Sequence, residues 1–95
     1  MVSIYGLVHN GKTVNNHTVI FLDNVIYFKS YNSVIARIKN GILTLGKDYK
    51  YGRTTLKYLY VFLKNNDIDI SSKKQLEQYI KINKIEILKD NIQII

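Results

Sequence analysis

The chain has 95 residues, no cysteine and no proline, and 14 lysines and arginines against 7 acids, for a net charge of +7. This length supports one hydrophobic core and no second domain, and the lack of cysteine excludes a disulfide framework, a thiolate metal site and a thiol nucleophile, which fits a reducing cytosol. No apolar run approaches the roughly 20 residues that span a bilayer, and residues 1–6 lack the basic-then-apolar pattern of a secretory signal. The usage of Lys, Asn and Ile suggests AT-rich coding DNA, as in a phage or a low-GC bacterium, and a cytoplasmic protein of a host bacterium is expected.

The first sixteen residues are the hardest to place: residues 4–8 read as a strand, and Asn10-Gly11 as a turn into the next. β-Branched and aromatic runs follow at residues 17–22, 25–30, 33–39 and 42–45, separated by Asp23-Asn24, Tyr31-Asn32 and Asn40-Gly41. These are strand and turn signals. Asn-Gly tolerates the positive φ that both central positions of a type I′ turn require, so Asn40-Gly41 sets a register with Lys39 opposite Ile42, Arg37 opposite Thr44 and Ala36 opposite Leu45. Strict alternation then places Val34, Ala36, Ile38, Leu43 and Leu45 on a core face, and Ile35, Arg37, Lys39, Ile42 and Thr44 on an exposed, basic one.

A polar loop over 46–52 leads into residues 53–64, where Leu56, Leu59, Phe62 and Leu63 fall on one helical side. Arg53, Lys57 and Lys64 fall on the other, with Tyr60 beside them. Thr54 or Thr55 is the expected cap, and Asn65-Asn66 the expected end. Ser72 to Gln75 reads as a capping box opening a second helix to about Lys81, with Leu76, Tyr79 and Ile80 inward. Residues 85–88 and 92–95 suggest one or two strands, with a helix as the alternative. The expected fold is a single α+β domain over residues 1–95: an antiparallel β-meander of three to five strands packed against one amphipathic helix, with a second short helix and a C-terminal strand or hairpin. An edge strand ending at Ile95 would also offer a way to form a homodimer.

Charge and aromatic rings are concentrated in the middle of the chain. Lys29, Arg37, Lys39, Lys47, Lys50, Arg53, Lys57 and Lys64 stand there against the single acid Asp48, together with Tyr27, Tyr31, Tyr49, Tyr51, Tyr58 and Tyr60. An ordinary exposed helix face interleaves Glu with Lys, whereas residues 49–66 contain no acid. Cations interleaved with flat rings suit a polyanion, or a protein that handles one. The binding residues expected on this basis are Arg37, Lys39, Lys50, Arg53, Lys57, Tyr60 and Lys64, and the competing reading is a solvated surface with structural tyrosines. The stretch 49–53 is a Gly-containing loop entering a helix, a weak anion motif; the Walker and dinucleotide fingerprints, both ribonucleoprotein sheet motifs and the GXXG clamp are absent. No cofactor is expected. His9 and His17 read as surface imidazoles and not as metal ligands, and no Ser-His-Asp set can be assembled. An enzymatic alternative is a small metal-independent ribonuclease using Arg53, Lys57, Tyr58 and Tyr60.

Two segments, residues 30–36 (Ser-Tyr-Asn-Ser-Val-Ile-Ala) and residues 51–59 with Phe62-Leu63, resemble a group of small phage and mobile-element proteins of uncharacterised function. Their shared features are a Ser-Tyr-Asn-(Thr/Ser) strand start and a Tyr-x-x-Thr-Thr helix; Gly52 stands here where that pattern has Ser, and Tyr58 where His is common. The resemblance implies phage origin more than a mechanism. Small phage proteins of this size often inhibit host defence, anti-CRISPR proteins being the best known, so the expected function is a non-enzymatic phage-type inhibitor that binds a host protein or protein–nucleic-acid complex. Its alternative is an accessory protein that contacts DNA or RNA directly.

Overall fold

The computed structural model describes residues 2–94. Five strands form an antiparallel meander: β1 (Val2–His9), β2 (Lys12–Leu22), β3 (Val25–Ser30), β4 (Ser33–Lys39) and β5 (Ile42–Leu45). Helices α1 (Arg53–Asn65) and α2 (Lys73–Asn83) follow, and the short β6 (Glu86–Ile87) returns parallel to β5. The sheet therefore has six strands in sequence order. This is the expected α+β class, with the meander at the long end of its expected range.

Three hairpin turns determine the sheet. Asn10-Gly11, Asp23-Asn24 and Asn40-Gly41 all have positive φ, between 50° and 75°, the backbone that a type I′ turn demands. They fix His9 opposite Lys12, Leu22 opposite Val25 and Lys39 opposite Ile42. Arg37 then faces Thr44 and Ala36 faces Leu45, as counted from the turn.

Strict alternation fails between β3 and β4. Phe28 pairs with Ala36 but Lys29 pairs with Val34, so Ile35 is skipped. A bulge of this kind re-aims the side chain that it passes over. Ile35 turns into the core and is buried, while half-buried Val34 joins Lys29 on the outer face, the reverse of the expected assignment.

α1 covers the inner face. Phe62 stacks on Phe28 with ring centroids 5.0 Å apart, and Leu59 and Leu63 are buried with Val19, Ala36, Ile38, Leu43 and Leu45. Each of these side chains except that of Ala36 contributes about 1.5–3 kcal/mol by leaving water. The helix begins at Gly52 without a side-chain cap. Thr54 and Thr55 are thus not its caps: Thr55 is buried, and its hydroxyl meets Ser30. α2 starts as expected at Ser72, which accepts from the Gln75 amide at 3.2 Å. The return bond of the box shifts by one residue, because the Gln75 side chain accepts from Ser71 instead of Ser72.

Only Glu86–Ile87 of the tail is a strand. Beyond it, the Leu88 amide donates to Leu45 and the Ile92 amide to Val34, and Ile92 is buried. No second tail strand forms among the described residues, and the expected edge at Ile95 lies outside them.

Candidate nucleic-acid interface

Residues 53, 57, 60 and 64 repeat at three- and four-residue steps, so they share one line on a helix. In α1 this line faces away from the sheet, opposite the buried Thr55, Leu59, Phe62 and Leu63. Arg53, Lys57 and Lys64 are exposed along it. Among the described residues no carboxylate pairs with Arg53 or Lys57, and Lys64 meets Asp69 only at 3.8 Å between exposed groups. Such a surface pair is worth roughly 0–1 kcal/mol and yields readily to another anion. Lys57 Nζ lies 5.2 Å from the Tyr58 ring centre, and Lys50 Nζ 5.7 Å from that of Tyr49.

Tyr60 belongs to the same line but is half-buried. Burial, reinforced by the nearby Glu77 carboxylate, raises its hydroxyl pKa above the ordinary tyrosine value, as it does for Tyr49. Tyr60 therefore sits beside α2 as a neutral phenol. Tyr58 turns the other way, its ring 4.7 Å from that of His17 and 6.2 Å from that of His9. The two tyrosines recruited by a ribonuclease reading diverge to opposite flanks of the helix.

Of the middle-segment tyrosines, the rings that remain available are Tyr31 and Tyr51, 54% and 83% exposed. Both border a cleft of about 220 Å³ at the start of α1, together with Ser30, Asp48 and Thr55. The uncapped first turn, which carries no acid, opens beside it. Tyr31 holds the β3–β4 turn at φ 53°, an uncommon backbone for a bulky residue.

Arg37 and Lys39 do not join this surface. Arg37 faces Tyr27 and Thr44, and Lys39 faces Val25 and Ile42, whereas α1 packs on the side carrying Phe28. The expected seven-residue patch is divided between opposite faces of the sheet. Arg37 donates to Thr44 Oγ1 at 3.2 Å, and its Nε is buried with no acceptor among the described residues. Tyr27, at 9% exposure, is too covered to stack a base.

His17 is no surface imidazole; it is 2% exposed. Its Nδ1 lies 2.8 Å from the Asn15 carbonyl oxygen, which can only accept, so Nδ1 carries a proton. In the neutral ring Nε2 is then the acceptor for the Ser30 hydroxyl at 3.2 Å, and Thr55 in turn donates to Ser30 at 3.2 Å. Sequence reading missed this chain because its members lie 13 and 25 residues apart. The polar Ser30 closing an apolar strand was the one available signal.

Among the described residues no group of three or more metal-ligating side chains converges, and no helix is long and apolar enough to cross a membrane. The chain matches a family of unknown function, DUF8033, over residues 4–78, and it belongs to that family. The matched region runs from β1 into α2 and includes the whole of α1. No curated protein and no solved structure matches the chain.

Proposed function

We propose that this protein is a non-enzymatic binding protein whose α1 surface contacts the phosphate backbone of DNA or RNA, either free or held in a host protein–nucleic-acid complex. The observation that carries this reading is the exposed line Arg53, Lys57 and Lys64 on a helix with no acid of its own. Lys50 before the helix and the exposed rings of Tyr31 and Tyr51 at its start extend the surface with groups that can meet phosphates and stack on bases. Guanidinium and ammonium groups at helical spacing read charge and not sequence, so affinity without strong sequence preference is expected. In its phage-inhibitor form, supported by the resemblance of residues 30–36 and of residues 51–59 with Phe62-Leu63, the strand is presented by a host effector complex of the anti-CRISPR target type.

Fluorescence anisotropy with a labelled single strand across a salt series tests the reading. Neutralising three to four phosphates predicts a log K against log salt slope of about −2 to −3, at roughly −0.7 per phosphate for single strands. A flat slope, or no binding at low salt, rules out direct contact. Capture of a host complex that persists after nuclease treatment places the contact on protein instead.

A further inference from the structure

β1 is the outermost strand of the sheet and has no strand on its far side among the described residues. Its sequence, Val-Ser-Ile-Tyr-Gly-Leu-Val-His, contains no Lys, Arg, Asp or Glu. Val2 is 55%, Ile4 66% and Tyr5 51% exposed. Proteins normally blunt such an edge with lysine, proline, an inward charge or a covering loop. This one has a partial block at a single end. There the side chain of Asn65, from the end of α1, donates to the Val8 carbonyl at 3.1 Å, and the β1–β2 register shifts between Gly6 and Val8. Residues 2–6 are left as a regular, uncharged, largely apolar edge whose outward backbone donors and acceptors have no strand partner among the described residues.

We propose that this edge pairs antiparallel with the same edge of a second copy of the chain, making a two-fold dimer with one continuous sheet. The occupant is argued from charge. A protein of net charge +7 repels its own copies over most of its surface, and the cations on the open sheet face, Lys29, Arg37 and Lys39, stand on β3 and β4, away from β1. The neutral edge is where two copies meet without opposing like charges. A two-fold pairing must be centred on the free window. For residues 2–6 the centre is Ile4, which then faces Ile4 of the second copy, while Ser3 faces Tyr5 and Val2 faces Gly6. Directly opposed residues of antiparallel strands share a face, so both α1 helices lie on the same side of the joined sheet.

Sedimentation velocity over a wide concentration range, with Ile4→Lys and Tyr5→Lys as separate variants, tests this. The two residues lie on opposite faces of the same strand and both are exposed, so each variant retains the wild-type circular dichroism, while its melting curve loses any concentration dependence. The expected result is a concentration-dependent dimer of the 11.1 kDa chain that either substitution converts to monomer, while Ile82→Lys on α2, 77% exposed, leaves it unchanged. A wild-type protein that stays monomeric throughout, as when the edge serves a strand of another protein, overturns the proposal. So does a dimer that survives both β1 substitutions.

Discussion

The His17–Ser30–Thr55 chain shows how much one buried hydroxyl decides. With the ring neutral and protonated at Nδ1, Ser30 donates to His17 Nε2 and accepts from Thr55, and all three residues are at most 5% exposed. Ser30→Ala removes the donor that His17 needs and leaves a buried ring nitrogen without a partner. That loss is worth about 1–3 kcal/mol, whereas a typical hydrogen bond contributes only about 1. Thr55→Val keeps the Ser30–His17 bond and nearly the same volume, so its cost should be smaller, on the order of 1 kcal/mol. Urea denaturation of both variants measures the difference. Equal losses would mean that His17 draws its stability from its rings, Phe28 at 5.9 Å and Tyr58 at 4.7 Å, and not from this bond.

At the scale of elements, turns and helix faces were legible while crossings were not. Asn-Gly pairs declare their φ directly, so the β4–β5 register could be counted residue by residue, and the buried side of α1 followed from the spacing of Leu59, Phe62 and Leu63. The Ile35 bulge and the closure of the C-terminal tail depend on chain segments far apart in sequence. Gly46 marks that closure. A Cβ there would lie 3.0 Å from the Val34 carbonyl oxygen, 3.0 Å from Asn91 Oδ1 and 3.1 Å from Asn91 Cα. Asn91 is not free to retreat, since its side chain donates to Asp48 at 2.7 Å and accepts from the Asp48 amide at 3.1 Å. The bond from the Asn91 side chain is also the main reason the Asp48 carboxyl lies below its ordinary value. Gly46→Ala should therefore destabilise the protein by about 1–3 kcal/mol through overpacking, with Tm lower by roughly 4–8 °C per kcal/mol for a domain of this size. An unchanged melting curve would mean that the tail packs more loosely on β4 and β5 than these distances require.

Across the whole molecule the middle-segment cations form two separate sets, which a one-dimensional reading of charge cannot distinguish, because strand parity and a single bulge decide the face. The molecule measures 32 × 29 × 23 Å, while charges in physiological salt are screened over about 8 Å. With α1 on one side of the sheet and Lys39 on the other, the two sets act on a bound polyanion nearly independently. Lys39 is exposed, as are Arg53 and Lys57, so reversing any of them leaves the core intact and isolates the electrostatic effect. Arg53→Glu with Lys57→Glu should weaken single-strand binding by at least tenfold and flatten the salt slope by about 0.7 for each phosphate no longer neutralised. Lys39→Glu changes the net charge by the same amount per site, yet should leave the affinity within about twofold and the slope unaltered, since long-range steering alone is largely screened. If the Lys39 variant loses affinity in step with the α1 variants, binding follows net charge and not a surface. The α1 line would then be one part of a diffuse positive field with no privileged face.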